Sequence, residues 1–279
     1  MKFALCNEMY VGWPFAKVFA SAREIGYTGI EIAPFTLLPG GEEPKAIVDV
    51  NDVTNAQRAT VRQQAADAGL EMVGLHWLLA KTEGFYLTSP DKSVRATTAE
   101  YFRALAQLCH DLGGTIMVLG SPLQRNLLPG VTYAQAEQYA AEVLRAAMPA
   151  CADCGVTIAL EPLGPAEGDF LPTADAAVQL AKRVDSPHCR LHLDVKAMSS
   201  EPAPIPEILR KHRAWLEHFH ANDPNLLGPG MGDMDFEPIF AALREIDYQG
   251  WVSLEVFKYE PSPEAIARQS METMRRLAE

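Results

Sequence analysis

Four residues in the second half of the chain carry side chains able to hold a divalent cation, and each closes a short apolar segment. Glu161 ends GVTIALE, Asp194 ends RLHLD, His220 ends LEHFH and Glu255 ends WVSLE. Their successive spacings of 33, 26 and 35 residues match the length of one strand-helix-strand repeat, about 30 residues or more. Three carboxylates and one imidazole form an oxygen-rich donor set. It suits Mn²⁺ or Mg²⁺, with Co²⁺ and Zn²⁺ as alternatives, and disfavours thiolate-seeking ions. A carboxylate at a strand exit can instead cap a helix, and a barrel histidine can be a satisfied core group. Four such residues at four consecutive strand ends favour the metal reading.

Donors so far apart in sequence meet only if their elements converge. Residues 2–7, 28–32, 71–77 and 115–120 read as four earlier strands. Apolar residues at helical spacing mark helices over 14–25, 54–67, 90–112, 132–154, 173–184, 205–213, 236–246 and 263–277. Strict alternation with near-continuously apolar strands predicts a parallel sheet covered by helices. An open sheet would spread four strand ends over about 15 Å, at about 4.8 Å per strand. A closed barrel brings every strand C-terminus to one mouth. The expectation is an α/β fold, a (β/α)8 TIM barrel, forming a single domain over 1–279. Three local readings accompany it: Ser89-Pro90 starts the third helix, Asp235 caps the helix at Phe236, and the polar, Pro- and Gly-bearing stretch 34–52 acts as a lid.

Composition narrows the partner. The 279 residues are 48% hydrophobic and carry a formal charge of −12, which argues against nucleic acid and against anionic membrane surfaces. No run approaches the roughly 20 apolar residues of a membrane span, and no signal-peptide core follows the first residues, so a cytoplasmic location is expected. Five scattered cysteines read as reduced thiols, and the Cys151/Cys154 pair lacks the second pair of a zinc site. The glycine-rich 228–233 segment, GPGMGD, lacks a nucleotide-loop register and reads as a loop over the mouth. A small molecule is the expected partner.

The segments ALEPLG at Glu161, LHLDVKAM at Asp194, HFHANDPN at His220 and the block GDMDFEPIFAALREIDYQGWVSLEVF ending near Glu255 resemble the xylose-isomerase-like TIM-barrel superfamily. The likeness is to its sugar isomerases and epimerases, including ketose 3-epimerases and hydroxypyruvate isomerases, and it spans nearly the whole chain. The resemblance implies that Glu161, Asp194, His220 and Glu255 bind the metal and that Glu161 and Glu255 double as acid and base. It further implies substrate contacts at Glu167 and His76, a small carbohydrate substrate, and a homodimer or homotetramer. The implied reaction moves a proton through an enediolate stabilised by the metal. A lyase or dehydratase acting on a keto-inositol or 3-keto-sugar is the alternative, because it needs the same proton abstraction.

Two departures bear on the substrate. Ketose 3-epimerases carry a substrate-binding histidine three residues after the metal aspartate and an arginine six after the metal histidine; here those positions are Ala197 and Leu226. Lys196 reads first as an exposed lysine and second as a replacement substrate contact. Asn222, with Asp223, is a candidate for lining the pocket. Trp77 and Phe85 could stack on a substrate face or pack in the core. His192 and His218, each two residues before a ligand and so on the same strand face, read as core polar groups rather than ligands.

Overall fold

Eight strands form a closed, all-parallel barrel in sequence order: β1 (Lys2–Cys6), β2 (Gly29–Ile32), β3 (Glu71–Leu75), β4 (Ile116–Leu119), β5 (Thr157–Leu160), β6 (Cys189–Asp194), β7 (Leu216–Ala221) and β8 (Trp251–Leu254). A computed structural model describes all residues 1–279. Around the barrel run α1 (Phe15–Ile25), α2 (Asn55–Asp67), α3 (Lys92–Leu112), α4 (Tyr133–Cys154), α5 (Ala174–Val184), the short α6 (Val195–Met198), α7 (Ile205–His212), α8 (Glu237–Glu245) and α9 (Pro263–Ala278). The expected TIM barrel is the fold observed. The one-turn α6, directly after Asp194, was not anticipated. No helix is long and apolar enough to cross a membrane.

Local chemistry sets the boundaries. Thr54 with Gln57 and Thr132 with Gln135 form complete capping boxes that start α2 and α4. Gly26, Gly113 and Gly155 end α1, α3 and α4 in the left-handed conformation. Asp91, rather than Ser89, caps α3, accepting from the Ser93 amide. α8 begins at Glu237 with Phe236 at its cap position, although Asp235 still accepts from the Glu237 amide.

The barrel interior is layered. Ala4, Val73, Ile116, Val118, Ala159 and Trp251 form a dry apolar plug, consistent with a packed barrel rather than a pore. At Gly74 the β3 and β4 backbones pack so closely that a Cβ would meet the Ile116 carbonyl. Beyond the plug the inward positions turn polar. His192 pairs in register with His218, and Asp194 with His220. Register shifts occur between Ile30 and Glu31 and between Leu191 and His192, so each irregularity immediately precedes a fully buried ionisable side chain. Such irregularities commonly re-aim a side chain near a functional site.

The 34–52 stretch packs beside the mouth: Phe35, Val48 and Val50 are buried, and Lys81 Nζ donates to the Gly41 and Glu43 carbonyls. The GPGMGD loop packs outward, with Gly228 against Ser270 and Gly230 against Thr273 of α9, and it does not line the cavity at the mouth.

Candidate metal and sugar site

Glu161 and Glu255 each stand one residue beyond their strands, whereas Asp194 and His220 lie within theirs. All four converge at the mouth. Glu161, Asp194, His220 and also His192 bring one donor atom apiece within 4.8 Å of one another. Glu255 joins through His220, whose Nδ1 lies 3.1 Å from Glu255 Oε2. The four predicted donors therefore form one assembly. His192, read from sequence as a core group, adds a fifth group, a second imidazole whose Nε2 is 4.0 Å from Glu161 Oε1.

The carboxylates crowd each other. Burial, then Glu255 and Asp194, push the Glu161 carboxyl well above the usual range. Burial and Glu255 push Asp194 up to about 6. A divalent cation among these oxygens relieves such repulsion, so the residues present fit the hard, oxygen-preferring ion expected from the sequence. Glu255 differs: burial would raise it, but His220 and the Trp77 indole more than offset that and hold it low.

Each donor is held by a named neighbour. Trp77 Nε1 donates to Glu255 Oε1 at 2.7 Å, from a residue with φ of 55°, a left-handed conformation that costs about 1–3 kcal/mol and clusters at functional sites. Asp194 accepts from the Ala197 amide and from Asn222 Nδ2, and Asn222 Oδ1 in turn accepts from the Lys196 amide. His220 turns Nε2 toward Glu31 Oε2, 3.2 Å away, and leaves Nδ1 toward the mouth. Gly120, at the end of β4, leaves room for Glu161; a Cβ there would collide with Glu161 Oε2. Arg125 lies buried nearby, with Nη1 donating to the Leu119 carbonyl and Nη2 unpartnered. Burial lowers its guanidinium to about 10, against the opposing pull of Glu161 and Glu167.

A cavity of about 370 Å³ opens above the donors, lined by Glu161, Glu255, Glu167, Trp77, Phe257, Leu163, Gly120, Lys81 and the 121–124 turn among others. Glu167 is thus at the wall. Lys196 is not the exposed lysine expected from its place in the sequence. Its Nζ meets Glu167 Oε1 at 2.6 Å and lies 4.5 Å from the Phe257 ring centroid, with only 14% of the side chain exposed. Trp77 stacks on Phe257, whereas Phe85 stacks on Tyr101 and takes no part in the wall.

Two expectations need correction. His76 does not face the cavity: it is fully buried, with Nε2 2.7 Å from Glu8 Oε2. Asn222 is also fully buried and holds Asp194 instead of lining the pocket. Leu226 contributes its backbone, accepting from the Phe257 and Lys258 amides. Glu8, Glu31 and Arg125 were not marked as site groups by sequence reasoning, and Trp77 was marked for stacking but not for its hydrogen bond to Glu255. The one available signal was a glutamate inside the otherwise apolar GIEI strand.

The family model described as a xylose isomerase-like TIM barrel matches residues 19–277. A D-psicose 3-epimerase of Agrobacterium fabrum is 28% identical over 219 residues, covering 75% of this chain and 72% of that protein. An L-ribulose 3-epimerase of Mesorhizobium japonicum is 29% identical over 188 residues, covering 66% and 62%. Among solved structures, D-psicose 3-epimerase of Clostridium cellulolyticum H10 with D-tagatose superposes over 100% of both chains with a TM-score of 0.83 at 20% identity, a likeness of fold.

Proposed function

The chain belongs to the xylose isomerase-like TIM-barrel family, and from that premise we propose a divalent-metal-dependent isomerase or epimerase of a sugar, sugar phosphate or small hydroxy-keto compound. The observation that carries the reading is that Glu161 and Glu255 both line one cavity while Asp194 and His220 complete the donor set behind them. Mn²⁺ or Mg²⁺ is the proposed ion, held by Glu161, Asp194, His220 and Glu255. When bound, it would polarise a carbonyl and its neighbouring hydroxyl and so acidify the α-proton.

The protein's own groups do the rest. One of Glu161 and Glu255 takes the α-proton and the other returns it, to the opposite face of the same carbon in epimerisation or to the neighbouring carbon in isomerisation. The indole N–H of Trp77 fixes one oxygen of Glu255, which keeps that carboxylate aimed instead of rotating. Trp77 and Phe257 offer a flat face for a sugar's C–H surface. Glu167 at the wall, with Lys196 joined to it from behind, supplies an acceptor for hydroxyl groups, where the side chains of Ala197 and Leu226 offer none. The proposal keeps residues 1–279 as one domain, a small carbohydrate as partner, a homodimer or homotetramer as the assembly and the cytoplasm as the setting.

The test is proton NMR of candidate ketoses in D₂O with the Mn²⁺-loaded enzyme and with Glu255→Gln. Deuterium should enter next to the carbonyl with wild type and not with the variant. Wild-type protein that carries bound metal yet exchanges no proton with any ketose would reduce the molecule to a sugar-binding barrel. A water-depleted, unsaturated product would assign the lyase alternative.

A further inference from the structure

Below the mouth, three adjacent strands bring together donors that move no proton in the chemistry above them, although Glu31 Oε2 also lies 3.2 Å and Cys6 Sγ 3.8 Å from His220 Nε2. Cys6 ends β1, Glu31 lies in β2 and His76 follows β3; all three are fully buried. Their Sγ, carboxylate oxygen and ring nitrogen lie within 4.8 Å of one another.

The hydrogen bonds around His76 fix which atom is available. Its Nε2 lies 2.7 Å from Glu8 Oε2, an acceptor, so Nε2 carries the hydrogen and Nδ1 carries a lone pair in the neutral ring. Nδ1 has no hydrogen-bond partner. It faces Glu31 Oε2 across 3.9 Å, so a lone pair points at a carboxylate oxygen in a dry interior. A cation between them turns that repulsion into two bonds. Zinc-nitrogen and zinc-oxygen bonds of about 2.0–2.2 Å meeting at a tetrahedral angle hold their donors about 3.4 Å apart, so a closure of about 0.5 Å from the present gap seats the ion. Glu8 behind His76 supplies the carboxylate-imidazole backing that metal-bound histidines generally have.

We propose that Cys6, Glu31 and His76 form a second, inner metal site of sulfur, oxygen and nitrogen donors, selective for Zn²⁺ over the ion favoured at the mouth. A thiolate in the set favours a borderline ion, whereas the carboxylate-rich mouth suits Mn²⁺ or Mg²⁺. Binding converts the Cys6 thiol to a zinc thiolate and releases one proton to solvent per ion; no oxidant or reductant is required. A doubly protonated His76 bridging Glu8 and Glu31 is the competing arrangement, and it needs no ion.

Co²⁺ as a probe separates the two, because thiolate ligation gives a near-ultraviolet charge-transfer band that no ligand at the mouth can produce. Chelator-stripped, reduced full-length protein titrated with Co²⁺ should take up two ions per chain, one accompanied by that band. Cys6→Ser should abolish the band and bind one ion, while Cys154→Ser, altering the one thiol that is not buried, should retain both. A wild-type protein binding one ion without the band, or a band that survives Cys6→Ser, overturns the inner site. If Cys6→Ser does not fold, zinc X-ray absorption of wild type decides, since a sulfur neighbour is required. Failure of the mouth instead would leave one ion that still shows the band.

Discussion

The two halves of the barrel treat their strand ends differently. Strands β5 to β8 deliver Glu161, Asp194, His220 and Glu255 to the mouth, while β1 to β3 lead to Glu8, Glu31 and His76, which lie buried beneath or beside them. β4 contributes no ionisable group at all; it ends at Gly120, whose missing side chain makes room for Glu161. One half presents donors and the other holds them. Glu31 shows the link most directly, because its two oxygens meet His218 at 2.6 Å and His220 at 3.2 Å on the far side of the barrel. An imidazole that gives its Nε2 hydrogen to Glu31 keeps Nδ1 free as a donor atom toward the mouth.

Glu31→Gln attacks that division of labour and carries the largest expected effect. The amide keeps the shape but cannot accept from both histidines with both of its heavy atoms, so one buried ring nitrogen loses its partner, at a cost of about 1–3 kcal/mol. His220 also loses the partner that orients it. Mn²⁺ affinity at the mouth should fall about 10–100-fold, read by calorimetric titration of wild type and variant side by side. Unchanged Mn²⁺ affinity would mean that the first half is a polar core and not a support for the second.

Trp77→Phe probes the same relation from the cavity side. The substitution keeps an aromatic ring against Phe257 and removes only the indole hydrogen bond to Glu255. A hydrogen bond to a charged group contributes about 1.5–3 kcal/mol, so the melting temperature should fall by about 3–12 °C, and kcat should fall about 10- to 100-fold while KM changes little. A rise in KM at constant kcat would place Trp77 with substrate binding instead of with the aim of Glu255.

The halves were not equally legible in the sequence. In β5 to β8 each strand signal ends on a carboxylate or an imidazole, and that pattern repeats at a spacing a barrel can close. The α4 start at Thr132 was placed from helical spacing, and the local capping box with Gln135 that fixes it went unread. Glu31 was not legible, because the histidines that satisfy it are 187 and 189 residues away. His76 failed for a different reason: the family resemblance implied a substrate contact there, but Glu8 draws it inward. Lys196 looked exposed because neither Glu167 nor Phe257 is near it in sequence. Long-range partners decide where an ionisable side chain ends up, and no local pattern records them.

The smallest effect belongs outside the barrel, where the first half has an ion pair with no part in the site. Arg58 of α2 and Asp111 of α3 meet at 2.8 Å, with side chains 12% and 28% exposed. Burial raises the Asp111 carboxyl, but hydrogen bonds from Arg58 and Gln107 outweigh it and leave the group below its usual range. A carboxylate depressed in the folded state contributes stability above its unfolded value of about 3.9, and that contribution is lost as pH falls through the folded value. Asp111→Asn should therefore cost about 0.5–1 kcal/mol at pH 7, about 1–4 °C in a chain of this size. The gap to wild type should close in melting curves as pH falls below the ordinary aspartate range, where wild-type Asp111 also takes up a proton. Metal affinity and proton exchange should stay at wild-type levels throughout. A loss of Mn²⁺ binding in this variant would show that the first half supports the mouth through its outer helices as well as through Glu31, and the contrast between the halves would have to be redrawn around the α2 and α3 packing.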